Sequence, residues 1–163
     1  TATRAHAPLT WPASALPTRD GAPTCLAIAP SGDLLVCGCD DGCVRGWLVD
    51  PKSVDVPACI FTVSLQGGAV TAVSVSPDGL LVAAATLHGG DVTVLDASSG
   101  RTAAQLPIEA GLGSASALSL AFIASQQPAA NGPPACYVLA IGCSDGHIHE
   151  YTASGVDGPW TAD

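Results

Sequence analysis

Two groups of cysteine and histidine residues carry the side chains that could bind a metal ion. They are Cys37, Cys39 and Cys43, spaced C-x-C-x3-C, and Cys143, His147 and His149, spaced C-x3-H-x-H. A structural zinc ion takes about four thiolate or imidazole ligands that converge in a tetrahedral arrangement. Each group offers three, so neither group alone completes such a site.

The position of both groups inside a repeated phrase argues against a metal site. The phrase occurs as Gly38–Trp47 and again as Gly142–Tyr151, and each copy reads Gly-Cys, a polar residue and Asp-Gly, ending in an aromatic residue. Equivalent residues of a repeat lie in different structural units, which holds Cys39 away from Cys143. We therefore expect thiols packed in the core, with no metal and no cofactor.

Patterns that would indicate catalysis are weak. The four histidines and two glutamates are scattered among predicted turns and strands. No G-x-S-x-G sequence marks a nucleophile elbow, and the glycine-rich run 111–116 lacks the Gly-Lys-Ser/Thr of a phosphate-binding loop. The sequence predicts a protein that is not an enzyme.

Charge and cysteine content limit the classes of partner. The 163 residues include five Lys+Arg and 14 Asp+Glu, for a net charge of −9, which disfavours nucleic acid and anionic membrane surfaces as main partners. Seven cysteines, several inside apolar runs, indicate reduced thiols in an intracellular, cytoplasmic protein. The sequence shows neither a stretch long enough to cross a membrane nor a secretory signal. It also contains no Met and begins Thr-Ala-Thr, from which we expect a piece of a longer polypeptide.

Three strand-like segments recur at a constant period of 47 residues. They begin at Pro23, Val70 and Ala117, with apolar residues at equivalent alternate positions. Alternation of this kind is typical of a strand that is buried on one side. Each segment is followed by an apolar second strand, a glycine-containing turn and a third strand. The predicted second and third strands are 34–39 and 43–49, 80–86 and 91–96, and 136–143 and 147–152. Fourth strands are predicted at 58–65 and 102–106, and the fourth strand of the last unit is missing or only begun near Trp160.

Four antiparallel strands with Pro-Asp-Gly after the first and Asp-Gly between the second and third resemble a WD40 repeat. The resemblance covers residues 20–160. Trp47 matches the tryptophan that ends the family's third strand, where Leu95 and Tyr151 are replacements, and Ser76–Gly79 matches its first turn. The family's Gly-His before the first strand is absent, and the middle unit has His88-Gly-Gly90 in place of Asp-Gly.

The resemblance implies an all-β fold of about three four-stranded antiparallel blades of a WD40-like β-propeller. The expected division is a leader or outer strand of a preceding blade at 1–19, blade 1 at 20–66, blade 2 at 67–113 and blade 3 at 114–163. Three blades form an incomplete ring, because propellers close with about four to eight. We expect the remaining blades to come from the same longer chain or from neighbouring chains.

Residues of the repeated phrase have two expected roles. Asp41 and Asp145 match the family's turn aspartate and are expected to accept backbone N–H groups in the hairpin turns, with an acidic contact surface as the alternative. Trp47 and Tyr151 are expected to pack in the core rather than act as binding hot spots. Asp40 and Arg45 flank the first turn, and we expect both side chains to face solvent and to be available to a partner. These six residues are the candidates from the phrase: Asp40, Asp41, Arg45, Trp47, Asp145 and Tyr151.

Loops supply the other candidate contacts. The irregular segment Ser125–Ala135 is polar and proline-rich, which favours a mobile surface loop, with a docking element as the alternative. The connector Pro107–Ser116 is the second such loop. The residues proposed to contact a partner from loops are Gln66, Glu109, Gln126, Gln127 and Asn131.

These features predict a non-catalytic protein–protein interaction scaffold within a larger protein or a multi-subunit complex. WD40 proteins of this kind occur in many assemblies, and a cytoskeletal or ciliary one is slightly favoured. The alternative is a structural propeller segment appended to a catalytic domain that lies outside this sequence.

Overall fold

Twelve β-strands make up the regular structure of the described part of the chain. The computed structural model describes residues 21–50, 57–108, 115–123, 136–156 and 158–162. The strands are β1 (Pro23–Ile28), β2 (Leu34–Cys39), β3 (Cys43–Leu48), β4 (Ala58–Ser64), β5 (Val70–Val75), β6 (Leu81–Thr86), β7 (Asp91–Asp96), β8 (Thr102–Pro107), β9 (Ala117–Ile123), β10 (Cys136–Cys143), β11 (Ile148–Ser154) and β12 (Trp160–Ala162). The described residues include no helix that is long and apolar enough to cross a membrane.

The strands form three separate antiparallel sheets, one for each predicted unit. Their orders are β1-β2-β3-β4, β5-β6-β7-β8 and β9-β10-β11-β12, which we call blade 1, blade 2 and blade 3. The predicted all-β fold of three four-stranded blades in an unclosed ring is confirmed. The fourth strand of the last unit is present but short, because β12 pairs with β11 over only three residue pairs, from Tyr151–Ala162 to Ala153–Trp160.

Asp-Gly pairs close the hairpins between the second and third strands of blades 1 and 3. The N–H of Gly42 donates to the carbonyl oxygen of Cys39 (3.2 Å), and that of Gly146 donates to Cys143 (3.1 Å). Both glycines have positive φ angles, +79° and +86°. A residue with a side chain is strained in this left-handed conformation, so the turn requires glycine.

Most of the core lies between adjacent blades, and a smaller cluster of Leu35, Cys37, Cys39 and Trp47 lies on the other face of blade 1. The innermost strands β1, β5 and β9 lie side by side, and each sheet packs its faces on the next blade. Between blades 1 and 2 the core is aliphatic, with Leu34, Val36, Val44, Val70, Val82 and Leu95. Between blades 2 and 3 it contains Leu81, Val92, Val94, Leu106, Leu139 and Ile141. These side chains alternate with residues of the opposite face along each strand, as the period-2 pattern requires.

A hydrogen bond between an aspartate and a tyrosine also joins blades 2 and 3. The Tyr137 hydroxyl, at the start of β10, donates to Asp78 Oδ2 in the first turn of blade 2. Asp78 Oδ1 accepts from the Ser76 hydroxyl (2.6 Å) and from the N–H of Leu80 (3.1 Å). Burial raises the pKa of the Asp78 carboxyl, but these hydrogen bonds outweigh burial and hold the pKa below its ordinary value. The turn predicted from Ser76–Gly79 therefore also fixes the neighbouring blade.

Candidate protein-interaction surfaces

The turn aspartate of blade 1 holds a buried arginine. Asp41 Oδ1 accepts from the N–H of Cys43 (2.9 Å), and its Oδ2 lies 2.6 Å from Nη2 of Arg45. Nη1 of Arg45 donates to Asp41 Oδ1 (3.3 Å), so the guanidinium contacts both carboxylate oxygens. The Arg45 guanidinium, followed by the Cys43 N–H, lowers the pKa of Asp41 to about 2 despite partial desolvation.

The expectation that Arg45 faces solvent is wrong. Arg45 is only 7% exposed, because it shares a sheet face with Cys37 and its guanidinium folds back onto Asp41. Sequence alternation alone did not reveal this, since the partner carboxylate comes from the turn rather than from a facing strand. Asp40 is exposed as expected, and its Oδ1 accepts the N–H of Ala22 (2.7 Å).

Blade 3 keeps the turn aspartate but lacks the arginine. Asp145 Oδ1 accepts the N–H of His147 (3.0 Å), and its Oδ2 lies 3.3 Å from His147 Nδ1. The His147 N–H is the main cause of a lowered Asp145 pKa. His149 occupies the position of Arg45, and its Nε2 atom is buried without a hydrogen-bond partner among the described residues. Asp41 and Asp145 therefore both accept a backbone N–H within their turns.

The two aromatic residues of the repeated phrase, Trp47 in β3 and Tyr151 in β11, are buried. Trp47 is paired in register with Leu35 and packs with Cys37 and Cys39. Tyr151 lies in the core between blades 2 and 3, and its hydroxyl donates to the carbonyl oxygen of Pro107 in β8. Both side chains thus serve blade packing.

The cysteines lie where packing explains them. The Sγ atoms of Cys37 and Cys39 are 3.8 Å apart in the buried face of blade 1, and both are free thiols. Burial, followed by the nearby Cys39, raises the pKa of the Cys37 thiol to about 12. Within the described ranges, no three His, Cys, Asp or Glu side chains are grouped so as to hold a metal ion.

A polar cleft opens between blades 1 and 2, beside the turn of blade 2. It has a volume of about 450 Å³ and lies between the end of β4 and strands β7 and β8. The hydroxyl of Thr86 donates to the carbonyl oxygen of Gln66 (2.8 Å), and the N–H of His88 donates to Gly67 (2.8 Å). These bonds fix the rim of the cleft. A smaller cavity of about 190 Å³ lies at the opposite end of the same junction, lined in part by Leu48 and Leu80.

Of the contact residues that the sequence predicts in loops, one lines the cleft. Gln66 is exposed and lines it. Glu109, Gln126, Gln127 and Asn131 lie outside the described residues, as do most of the connector 107–116 and all of the loop 125–135. Sequence reasoning missed Asp91, Thr93 and Gln105, which also line the cleft. Alignment of the third strands of the three blades would have indicated the cleft, because the short Thr93 stands at the position of the larger Arg45 and His149.

Two apolar end faces are the other candidate surfaces. The first end face is the β1 part of the side of blade 1 away from blade 2, where Leu26 and Ile28 are 62% and 64% exposed, whereas Cys37 and Trp47 on the same side are buried. Their equivalent in blade 2, Val73, is only 9% exposed because it packs on blade 1. The last end face is the side of blade 3 away from blade 2, where Ile148 is 77% exposed.

Register comparison shows what the last end face lacks. Val44 pairs with Gly38 in blade 1, and Ile148 pairs with Gly142 in blade 3. Val44, like Val92 of blade 2, is fully buried against the following blade. Ile148 therefore carries the side chain of an inter-blade core without a following blade in the described part of the chain.

Comparison with known proteins agrees with this architecture. Residues 13–47 match the family model WD40, "WD domain, G-beta repeat". No curated protein sequence is significantly similar to the chain. Sqt1 of Saccharomyces cerevisiae is similar in structure, with a TM-score of 0.61 and 18% identity over 87% of this chain and 34% of Sqt1.

Two further solved structures are similar at the same level. The Cps50 (Swd1) β-propeller domain of Myceliophteria thermophila has a TM-score of 0.62 and 16% identity, covering 88% of this chain and 39% of that one. Sqt1 of Chaetomium thermophilum, bound to the N-terminus of the ribosomal protein L10, has a TM-score of 0.63 and 17% identity. The match covers 82% of this chain and 31% of the Sqt1 chain. The chain thus spans between 31% and 39% of the length of these matched chains. The family-model match over residues 13–47 and the shared blade architecture show that the fold is that of a WD40-repeat β-propeller.

Proposed function

We propose that the chain is a non-catalytic scaffold for protein–protein interaction, as part of a WD40 propeller within a larger protein or a multi-subunit assembly. One observation carries the proposal: Ile148 is 77% exposed where the equivalent Val44 and Val92 are fully buried. An apolar side chain built for an inter-blade core stabilises the molecule only when another surface covers it. The covering surface is a further blade of the same protein or of a neighbouring subunit.

A solved relative supports the binding role. The Chaetomium thermophilum Sqt1 propeller holds the N-terminus of another protein, the ribosomal protein L10. A β-propeller of this architecture can therefore present a rigid surface to a segment of a partner. By analogy, we propose that this chain also binds protein partners.

The side-chain chemistry supports a role without catalysis. Within the described residues, no histidine side chain is hydrogen-bonded to a serine, threonine or cysteine that could act as a nucleophile. The Cys37 thiol is buried, and its raised pKa keeps it protonated near neutral pH. The residues instead form turns, blade contacts and clefts.

An intracellular, cytoplasmic location is part of the proposal. The six described cysteines are free thiols, which suits a reducing compartment. A cytoskeletal or ciliary assembly is its most specific element. Imaging of the tagged full-length protein tests it: enrichment at microtubules, centrioles or cilia is expected, and a diffuse distribution would contradict this element.

Site-specific photo-crosslinking tests the proposed function directly. A photo-reactive amino acid is placed at Leu26, Ile148 or Gln66 of the full-length protein in cells, with the exposed turn residue Ser99 as a control site. We expect crosslinks to another blade from positions 26 and 148, and crosslinks to a different protein from at least one of the test positions. Crosslinks that remain within the same polypeptide at every test position would overturn the scaffold role in favour of a structural segment.

A further inference from the structure

The cleft between blades 1 and 2 exists because blade 2 lacks a pair of residues that blade 1 has. Arg45 and Thr93 occupy equivalent positions in the third strands. Each lies two residues before a second equivalent residue, which is Trp47 in blade 1 and Leu95 in blade 2. In blade 1 the guanidinium of Arg45 occupies this site and binds the turn residue Asp41. In blade 2 the short Thr93 and the turn His88-Gly89-Gly90 leave the corresponding space open.

The walls of this cleft are rich in hydrogen-bond acceptors. Thr93 is only 9% exposed, and its side chain makes no hydrogen bond within the described part of the chain. Thr93 pairs in register with Gln105, and Asp91 lies two residues earlier on the same face of β7. The opposite wall adds the side chains of Ser64 and Gln66. This hydroxyl lines the cleft with its hydrogen-bonding capacity unused, so a polar group that enters the cleft can bond to it.

Charge decides which polar group fits. Asp91 brings a carboxylate to the cleft, and neither Lys nor Arg is among its lining residues. The net charge of −9 also attracts basic partners. Arginine matches an arrangement of carboxylate, amide and hydroxyl acceptors better than lysine, because its planar guanidinium presents five N–H donors in a fixed fork.

We propose that the cleft between blades 1 and 2 binds an arginine side chain of a protein partner. The partner's guanidinium takes the place in blade 2 that Arg45 takes in blade 1, with Asp91 as its counter-ion and Thr93 and Gln105 as hydrogen-bond partners. This inference rests on the proposed scaffold function and identifies the chemistry of one contact.

Titration with a small arginine probe tests the cleft itself. The ¹⁵N-labelled 163-residue chain is titrated with N-acetyl-arginine-N-methylamide and, separately, with the citrulline and lysine analogues, and amide shifts are followed. We expect saturable shifts at Gly89, Thr93 and Gln105, with the neutral citrulline analogue binding at least about tenfold more weakly because it lacks the charge. The lysine analogue should bind more weakly than arginine because it lacks the planar fork.

Two variants locate the binding. Asp91→Asn should weaken the arginine probe about fivefold or more, since a charged hydrogen bond becomes a neutral one. Asp33→Asn is the matched control, because Asp33 is an exposed carboxylate at the opposite end of the blades. Thr93→Arg places a guanidinium inside the cleft, beside Asp91, and should abolish probe binding by filling the cleft. An unchanged ¹⁵N spectrum outside the cleft checks that each variant is folded.

Three results would overturn the inference: no saturable shift at the cleft, equal affinity for the citrulline analogue, or undiminished binding to Thr93→Arg. An arginine-bearing peptide from a crosslinked partner should compete with the probe, which distinguishes a protein arginine from a free small molecule. The two proposals fail separately. If the arginine probe does not bind in the cleft while the crosslinking identifies a partner, only this inference fails. If the cleft binds arginine while no partner is found, the scaffold function fails.

Discussion

Thr24 and Thr71, which are 47 residues apart, make the same pair of hydrogen-bonding contacts in successive blades. The hydroxyl of Thr24 lies 2.6 Å from the carbonyl oxygen of Val70 in the next blade and 3.0 Å from that of Gly38 in its own. The hydroxyl of Thr71 lies 2.9 Å from the carbonyl oxygen of Ala117 and 3.3 Å from that of Ala85. The period in the sequence is therefore also a period in the contacts between blades. The next position in the series is Leu118, which is exposed and has no hydroxyl.

Removal of the Thr71 hydroxyl should weaken the junction between blades 2 and 3. Thr71→Val keeps the shape of the side chain but leaves the Ala117 carbonyl without this donor, which costs about 1 kcal/mol in the free energy of unfolding. Thr93→Val is the matched control, because the Thr93 hydroxyl has no hydrogen bond within the described residues. Urea denaturation measures both variants, and equal losses would show that the Thr71 contact contributes nothing specific.

Stability should fall in acid as the Asp41–Arg45 pair is lost. The pKa of Asp41 is lowered to about 2 in the folded chain, below its ordinary value of 3.8. Its contribution is therefore present above about pH 4 and disappears as the pH falls towards 2. Asp41→Asn should be less stable than wild type at pH 7, and the gap in the free energy of unfolding should narrow between pH 4 and pH 2. For Asp91→Asn we expect a smaller gap at pH 7, since Asp91 makes no hydrogen bond or ion pair within the described residues. A gap for Asp41→Asn that does not change with pH would contradict the assignment.

The link between Tyr137 and Asp78 should be visible in the titration of the aspartate. Tyr137→Phe removes one of the hydrogen bonds that hold the Asp78 pKa below its ordinary value, so the pKa should rise. Tyr151→Phe is the control, because the Tyr151 hydroxyl donates to the carbonyl oxygen of Pro107. NMR titration of the carboxyl carbons provides the measurement. A similar Asp78 pKa in wild type and Tyr137→Phe would rule out the inter-blade hydrogen bond.

The difference between an inter-blade core and an open end face should appear as a difference in mutational cost. Val92→Thr places a hydroxyl in a fully buried site and should lower the free energy of unfolding of the 163-residue chain by about 1–3 kcal/mol. Ile148→Thr changes an exposed side chain at the equivalent position and should stay within about 0.5 kcal/mol. Thermal or urea unfolding of the two variants decides. A cost at Ile148 as large as that at Val92 would mean that the last end face is already covered.

The sequence predicted the strands well because their pattern is local and repeated. The starts Pro23, Val70 and Ala117 agree with the structure, and the predicted second and third strands end within two residues of the observed ones. Alternation placed Leu26 and Val73 at equivalent positions, but only the structure shows that one is exposed and the other buried. The difference depends on the neighbouring blade, which a strand pattern does not encode.

The candidate sites were harder to predict because they depend on contacts across a turn or between blades. The sequence pattern predicts that Arg45 is exposed, and only the structure shows its guanidinium bound to Asp41. The hydrogen bond from Tyr137 to Asp78 joins residues 59 positions apart in sequence. The cleft is open because Thr93 and two glycines are small. Their small size is recognised as unusual only when the equivalent residues of the three blades are compared.

The account depends on Leu26, Ile28 and Ile148 being exposed in this chain and covered in the proposed larger protein or assembly. Hydroxyl-radical footprinting with mass spectrometry measures this directly, by comparing the oxidation of Leu26, Ile28 and Ile148 in the 163-residue chain and in the full-length protein isolated from cells. The account predicts strong oxidation of all three side chains in the 163-residue chain and strong protection in the full-length protein, with Val92 protected in both. Oxidation of Ile148 that is equally strong in both samples would contradict it.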